Sequence, residues 1–148
     1  EDGTLPEPAY VVVPVGTGGT AAGLALGFQL AGLRSRVVGV VVNDQLRLDG
    51  RVMARLARRT AKLLEERGAR LGQLRLEPDM LDLTREEIGA GYGHPTEAAG
   101  RAAALAAAEG LRLDPVYTAK AMAGLLALRE SGRLEGGRVM FVHTDGPR

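Results

Sequence analysis

Apolar residues along this chain come in short, dense runs, and polar or glycine-rich stretches separate them. The first run, within YVVVPV, breaks at Gly16-Thr17-Gly18-Gly19-Thr20 and gives way to an Ala- and Leu-rich stretch without proline. This pattern predicts a buried strand over residues 9–15, a tight glycine turn, and a helix over 19–31 stopped by Gly32. The helix is apolar nearly all round (Leu24, Leu26, Phe28, Leu30), which predicts burial on more than one side. Pro14 cannot donate to a ladder, so it belongs at the strand's end or on an open side.

A second strand is expected over 36–42, where RVVGVVV has the unbroken valine character of a parallel sheet covered on both faces. Asn43-Asp44 ends it. Asp49 is a suitable cap for a helix over 50–67, with Val52, Met53, Leu56, Leu63 and Leu64 as its apolar stripe and Gly68 as its stop. Residues 70–89 are less regular, with a short extended piece at 74–76 and a turn at Glu77-Pro78-Asp79. A glycine loop, Gly91-Tyr92-Gly93-His94-Pro95, precedes a helix over 96–109. Another helix is expected over 118–130 and a last strand over 138–143. Residues 1–8 read as a linker, and 9–148 as a single α/β domain. Strands alternating with helices imply a three-layer αβα fold with a mainly parallel sheet. The glycine turn, Asn43-Asp44 and Thr144-Asp145-Gly146 all follow strand ends, so they should share the rim where such sheets bind ligands.

Composition narrows the function. The chain has 148 residues and a net charge of +1, which gives no reason to propose nucleic acid or an anionic membrane as partner. Aromatics at 3% leave no stacking platform for single strands. No apolar run approaches the roughly 20 residues of a membrane span, and no signal peptide is expected. Without cysteine there is no thiolate chemistry, and His94 and His143 lie too far apart in sequence to suggest a metal centre. A cytoplasmic location fits these features. Lys62 and Lys120 are the only lysines.

The glycine turn carries the clearest chemistry. Glycines let a backbone approach a ligand, and the helix behind them offers unpaired N–H groups and a positive dipole end. Together these make an anion site, most often for phosphate, with Thr17 and Thr20 as added hydroxyl donors. A turn that binds nothing is the bland alternative. Gly16-Thr17-Gly18-Gly19-Thr20-Ala21 also fits the G-x-G-x-x-A dinucleotide pattern, with Asp44 placed to bind a ribose in a Rossmann-like nucleotide-binding domain.

Four segments taken together carry a more specific signal: VGTGGTAAGL at 15–24, GYGHPTEA at 91–98, LDPVYTAKAMAGL at 113–125 and FVHTDG at 141–146. In this order they resemble the D-cysteine desulfhydrase and 1-aminocyclopropane-1-carboxylate deaminase family, fold-type-II pyridoxal-phosphate enzymes. The PVYTAKAMAGL stretch is the most specific part.

The resemblance implies pyridoxal 5'-phosphate as cofactor, a small amino acid as substrate and a homodimer for the full-length enzyme. It matches Gly16, Thr17, Gly18, Gly19 and Thr20 to the loop that holds the cofactor phosphate, and Tyr92 and Tyr117 to two active-site tyrosines. Thr118 and Thr144 match positions near the pyridine ring and the substrate. In this family the deaminases carry Glu and Leu at those two positions and the desulfhydrases small hydroxyl residues. The resemblance therefore favours a D-cysteine desulfhydrase, which forms pyruvate, sulfide and ammonia by α-proton abstraction and β-elimination. The deaminase is the alternative.

Two departures stand out. The family's covalent cofactor lysine and its small domain lie in a segment with no counterpart here, and Lys120 does not match the covalent position. The chain thus resembles the C-terminal half of such an enzyme, and alone it is expected to bind the cofactor weakly and turn over nothing. Asp145 also stands where the family has Gly.

Overall fold

The computed structural model describes residues 5–144. It contains four parallel strands in the order β3-β2-β1-β4: β1 Tyr10–Val15, β2 Arg36–Val41, β3 Asp82–Thr84 and β4 Val139–Phe141. Four helices accompany them: α1 Gly19–Leu30, α2 Gly50–Glu66, α3 Glu97–Ala108 and α4 Thr118–Glu130. Side chains alternate across the central strands. Val13, Val15, Val37 and Val41 pack beneath α1 and α2, whereas Val12, Val38, Val40 and Val42 face α4. The result is the expected αβα sandwich. α3 lies outside, its Ala99, Ala102 and Ala106 buried and its contacts made with α4.

Pro14 sits within β1, opposite Val40 of β2. The Val12 carbonyl accepts the Val142 amide on the β4 side. Two residues on, the Pro14 nitrogen faces that same side, just past the last β1–β4 pair, Val12 with Phe141. The missing donor therefore falls where the ladder stops.

Local packing departs from the expected pattern in three places. The outer face of α1 is open, because Gly23, Gly27 and Leu30 lie exposed while Ala21, Ala22, Ala25 and Leu26 are buried. On α2, Leu63 and Leu64 point to solvent, and Met53, Ala54, Ala57 and Ala61 form the buried stripe instead. Small residues on both helices allow α1 and α2 a close approach. The extended piece at 74–76 joins no strand. The Gln29 carboxamide donates to the Arg75 carbonyl at 2.7 Å and accepts its amide at 2.8 Å, doing for one residue what a neighbouring strand would do. The third strand lies instead at Asp82–Thr84, where the Asp82 carboxylate pairs with both Arg36 Nε and Arg36 Nη2 across to β2.

Glu7, in the stretch read as a linker, accepts the Ser35 amide at 2.9 Å and so ties that stretch to the turn before β2. Asp145 lies outside the described residues.

Candidate active site

The strand ends converge as the topology requires. The Asn43 carboxamide donates to the Gly16 carbonyl at 3.0 Å and accepts the Gln45 amide at 2.9 Å, which fixes the glycine turn against the end of β2. Above the turn opens a cleft of about 430 Å³ lined by Pro14, Gly16 to Thr20, Tyr117 and Thr144. No carboxylate is among the described residues that line it.

Each glycine of the turn answers a different demand. A Cβ on Gly16 would lie 2.8 Å from the Tyr117 ring, so only glycine lets that ring rest on the turn. Gly18 precedes α1 in the left-handed region, with φ 93°, and a Cβ there would meet the Met53 side chain at 2.5 Å. A Cβ on Gly19 would meet nothing within 4 Å; this position faces open space. No side chain caps α1, and its first turn has no acidic residue. By contrast Asp49 caps α2 by accepting the Val52 amide, and Thr96 caps α3 by accepting the Ala99 amide. The amides at the start of α1 are thus left for an anion.

The two tyrosines, 25 residues apart in sequence, meet. The Tyr92 and Tyr117 hydroxyls are hydrogen-bonded, and the rings are set edge-to-face with centroids 5.9 Å apart. Tyr117 is placed by Asp114, whose carboxylate accepts the amides of Val116, Tyr117 and Thr118 at 2.7–2.9 Å and the Thr118 hydroxyl at 2.6 Å. Burial opposes the charge on Asp114, but the Thr118 hydroxyl and the three amides outweigh it and hold this carboxyl below its usual range.

Asp114→Ala is accordingly expected to cost about 2 kcal/mol in stability, the upper part of the range for a lost helix cap. Because the folded-state pKa is depressed, the contribution is present above the ordinary value of about 3.9 and is lost as pH falls through the folded value. Denaturant unfolding of wild type and variant should therefore differ at pH 7 and converge at low pH.

Tyr92 is held by its backbone. Its amide donates to Asp44 at 2.8 Å, and this bond is the main reason the Asp44 carboxyl lies below its usual range. The acid that the dinucleotide reading assigns to a ribose is therefore engaged with the tyrosine loop. Thr144 borders the cleft. Thr118 is fully buried beneath it, with its hydroxyl donating to Asp114.

Lys120, set aside in the sequence, is fully buried and donates to the carbonyls of Ile88 at 2.7 Å and Gly91 at 3.2 Å. Burial pushes its ammonium below the usual lysine range, against the fields of Asp44 and Glu87. Beyond its place in PVYTAKAMAGL, its sequence signal is that it is the one charged residue in an otherwise apolar turn of α4. Among the described residues no group of His, Asp or Glu is arranged to hold a metal, and no helix is long and apolar enough to cross a membrane.

Comparison with known proteins bears on the family and the fold. Residues 2–145 match the family model described as "Pyridoxal-phosphate dependent enzyme". The chain is 37% identical over 139 residues to a 1-aminocyclopropane-1-carboxylate deaminase of Ralstonia nicotianae, covering 93% of this chain and 39% of that protein. It is 35% identical over 137 residues to a putative 1-aminocyclopropane-1-carboxylate deaminase of Pyrococcus horikoshii, covering 92% of this chain and 39% of that protein. A crystal structure of an ACC deaminase homologue superposes with a TM-score of 0.74 at 32% identity, over 98% of this chain and 42% of the other. The chain therefore spans about two fifths of the length of these relatives.

Proposed function

Since the chain belongs to the pyridoxal-phosphate dependent enzyme family, we propose that it supplies the phosphate anchor and the proton-handling tyrosines of a lyase acting at the α-carbon of a small amino acid, of the D-cysteine desulfhydrase type. The observation that carries this reading is the joining at one cleft of an uncapped, glycine-led helix start and Tyr117, whose hydroxyl is hydrogen-bonded to that of Tyr92.

The residues fit the cofactor. Gly19 faces open space at the mouth of α1, so a phosphate has room to approach the first-turn amides, and Thr17 and Thr20 line the same cleft. When bound, the cofactor supplies an electron sink for charge developing at the substrate's α-carbon. The chain's own residues do the rest. The amides of α1 would hold the phosphate and fix the ring's position. The Tyr117 ring, resting on Gly16, forms one wall and keeps water from that side. The Tyr92 and Tyr117 hydroxyls share a hydrogen bond, so a proton taken up by one is passed to the other over a fixed path.

The neutral lining favours the desulfhydrase side. With Thr144 and no carboxylate among the described residues that line the cleft, the lining would leave a pyridine nitrogen less protonated and the sink milder, which suffices for loss of a thiol. Opening a cyclopropane ring calls for a stronger sink. The cyclopropane-carboxylate deaminase is the second reading, and the printed names of the relatives favour it.

The test assays the protein that carries this chain for sulfide and pyruvate from D-cysteine, and for ammonia from 1-aminocyclopropane-1-carboxylate. Sulfide release is the expected result; deamination of the cyclopropane substrate without sulfide overturns the first reading in favour of the second. Tyr92→Phe and Tyr117→Phe are each expected to lower kcat about 100-fold at unchanged cofactor affinity, the usual weight of a positioned proton-transfer group.

A further inference from the structure

A fully buried ammonium is costly unless its hydrogen bonds do something that a cheaper group would not. The Lys120 Nζ bonds two carbonyls, those of Ile88 and Gly91, in the irregular segment between β3 and α3. The same two oxygens accept the turn amides of Gly91 and His94, each at 3.3 Å. These turns carry left-handed glycines, Gly89 at φ 62°, Gly91 at φ 118° and Gly93 at φ 84°, and no strand pairs with them. On the other side the Asp44 carboxylate takes the Tyr92 amide, and a Cβ on Gly91 would lie 3.1 Å from it. The loop is thus clamped between a buried cation and a carboxylate at the end of β2. Lys120 and Tyr117 sit one helical turn apart at the start of α4, so both tyrosines take their position from the same helix end: Tyr117 through Asp114, Tyr92 through Lys120.

We propose that Lys120 is a positioning residue for the proton-handling pair, its buried ammonium and Asp44 together holding loop 88–94 so that the Tyr92 hydroxyl meets that of Tyr117. The proposal rests on the functional reading above for its kinetic consequence, but not for its geometry.

The experiment uses the full-length protein carrying this chain. Lys120→Met keeps an unbranched side chain and removes the donors and the charge. It is expected to lower kcat roughly 10- to 100-fold, the effect of a misplaced reacting group, with KM and cofactor affinity changed less than about 3-fold. The double variant Lys120→Met/Tyr92→Phe is expected to lose no more than Tyr92→Phe alone, since the lysine acts through that tyrosine. Losses that multiply, or that track a general fall in melting temperature and cofactor affinity, overturn the proposal and leave Lys120 a core residue. So does an unchanged kcat.

A second readout needs no activity. A ring-to-ring nuclear Overhauser contact between Tyr92 and Tyr117, assigned with the Phe variants, is expected in the wild type and absent in Lys120→Met; its persistence overturns the proposal. If the wild type turns over neither amino acid, the functional reading fails while this contact still decides the role of Lys120. Should Lys120→Met prove insoluble, Asp44→Ala removes the other half of the clamp from an exposed site. It must weaken the same contact, and an unchanged contact there counts against the clamp.

Discussion

An aspartate in place of Gly19 is expected to weaken pyridoxal-phosphate binding by more than about 100-fold while leaving the melting temperature level or slightly raised. The two halves of this result have separate causes. A Cβ at position 19 meets nothing within 4 Å, and the residue lies in α1 without a positive φ, so the fold accepts a side chain there. A carboxylate in the first turn of a helix interacts favourably with its dipole, by about 0.3–1 kcal/mol. The same carboxylate would occupy the place proposed for the phosphate. Two like charges about 4 Å apart repel by roughly 4 kcal/mol at the effective dielectric of a protein surface, well beyond the roughly 2.7 kcal/mol that corresponds to 100-fold. Equilibrium titration with the cofactor and with inorganic phosphate, beside a thermal melt, checks both halves. Unchanged binding of either ligand in a folded Gly19→Asp protein would show that the anion sits elsewhere. Gly18→Asp is no substitute for this experiment, since φ 93° and the Met53 side chain strain any residue at that position.

The second large effect lies away from the cleft. Gly50→Ala is expected to destabilise the protein by about 3 kcal/mol, the upper range for overpacking, and to lower its melting temperature by roughly 10 °C. Alanine is ordinarily the better helix former by about 1 kcal/mol, and Gly50 opens α2. Here, however, a Cβ would stand 2.1 Å from the Pro78 carbonyl oxygen and 3.0 Å from its carbon. These are backbone atoms of the returning turn, and no rotamer change relieves them. Gly27→Ala is the control. It lies exposed in α1 with nothing within 4 Å of a Cβ, and it is expected to raise stability by about 1 kcal/mol. If both variants melt alike, the contact with Pro78 does not constrain the helix.

What the sequence made legible follows from what is local. Valine runs, glycine stops and the Asp49 cap are decided within a few residues, and the structure has β1, β2, α1, α2, α3 and α4 within two residues of their expected bounds. Where the partner is distant, the pattern misleads. Residues 74–76 look like a strand, but the backbone of Arg75 pairs with the Gln29 side chain, 46 residues away in sequence, and Leu74 and Leu76 pack on Leu26, Ala57 and Ala61. Asp82–Thr84 is too short to stand out, and it becomes a strand by pairing in parallel with Val38 to Val40 of β2, the Asp82–Arg36 ion pair lying at its start. Leu63 and Leu64 continue a helical stripe beyond the point where α1 still covers α2. At the cleft, the glycine turn announces itself through residue type. The places of Lys120 and Asp114 do not, since a lysine within a helix and an aspartate before a proline each have a commoner solvated explanation; burial distinguishes the lysine, and the three amides it accepts distinguish the aspartate.

Pro14 has a consequence for how far the sheet can spread. A ladder propagates by alternating donors and acceptors, and it stops at the first position that offers none. With an amide at position 14, the residues after Val142 could continue zipping along β1, and Thr144 would be drawn into the sheet, away from the glycine turn. Pro14 withholds that donor on the one side of β1 where the extension would close the cleft, while β2 continues to pair with the other side through Val15 and Val42. A single imino acid thus divides β1 into a lower half that is scaffold and an upper half kept free of neighbouring backbone, and the opening it preserves is the place a small molecule can enter.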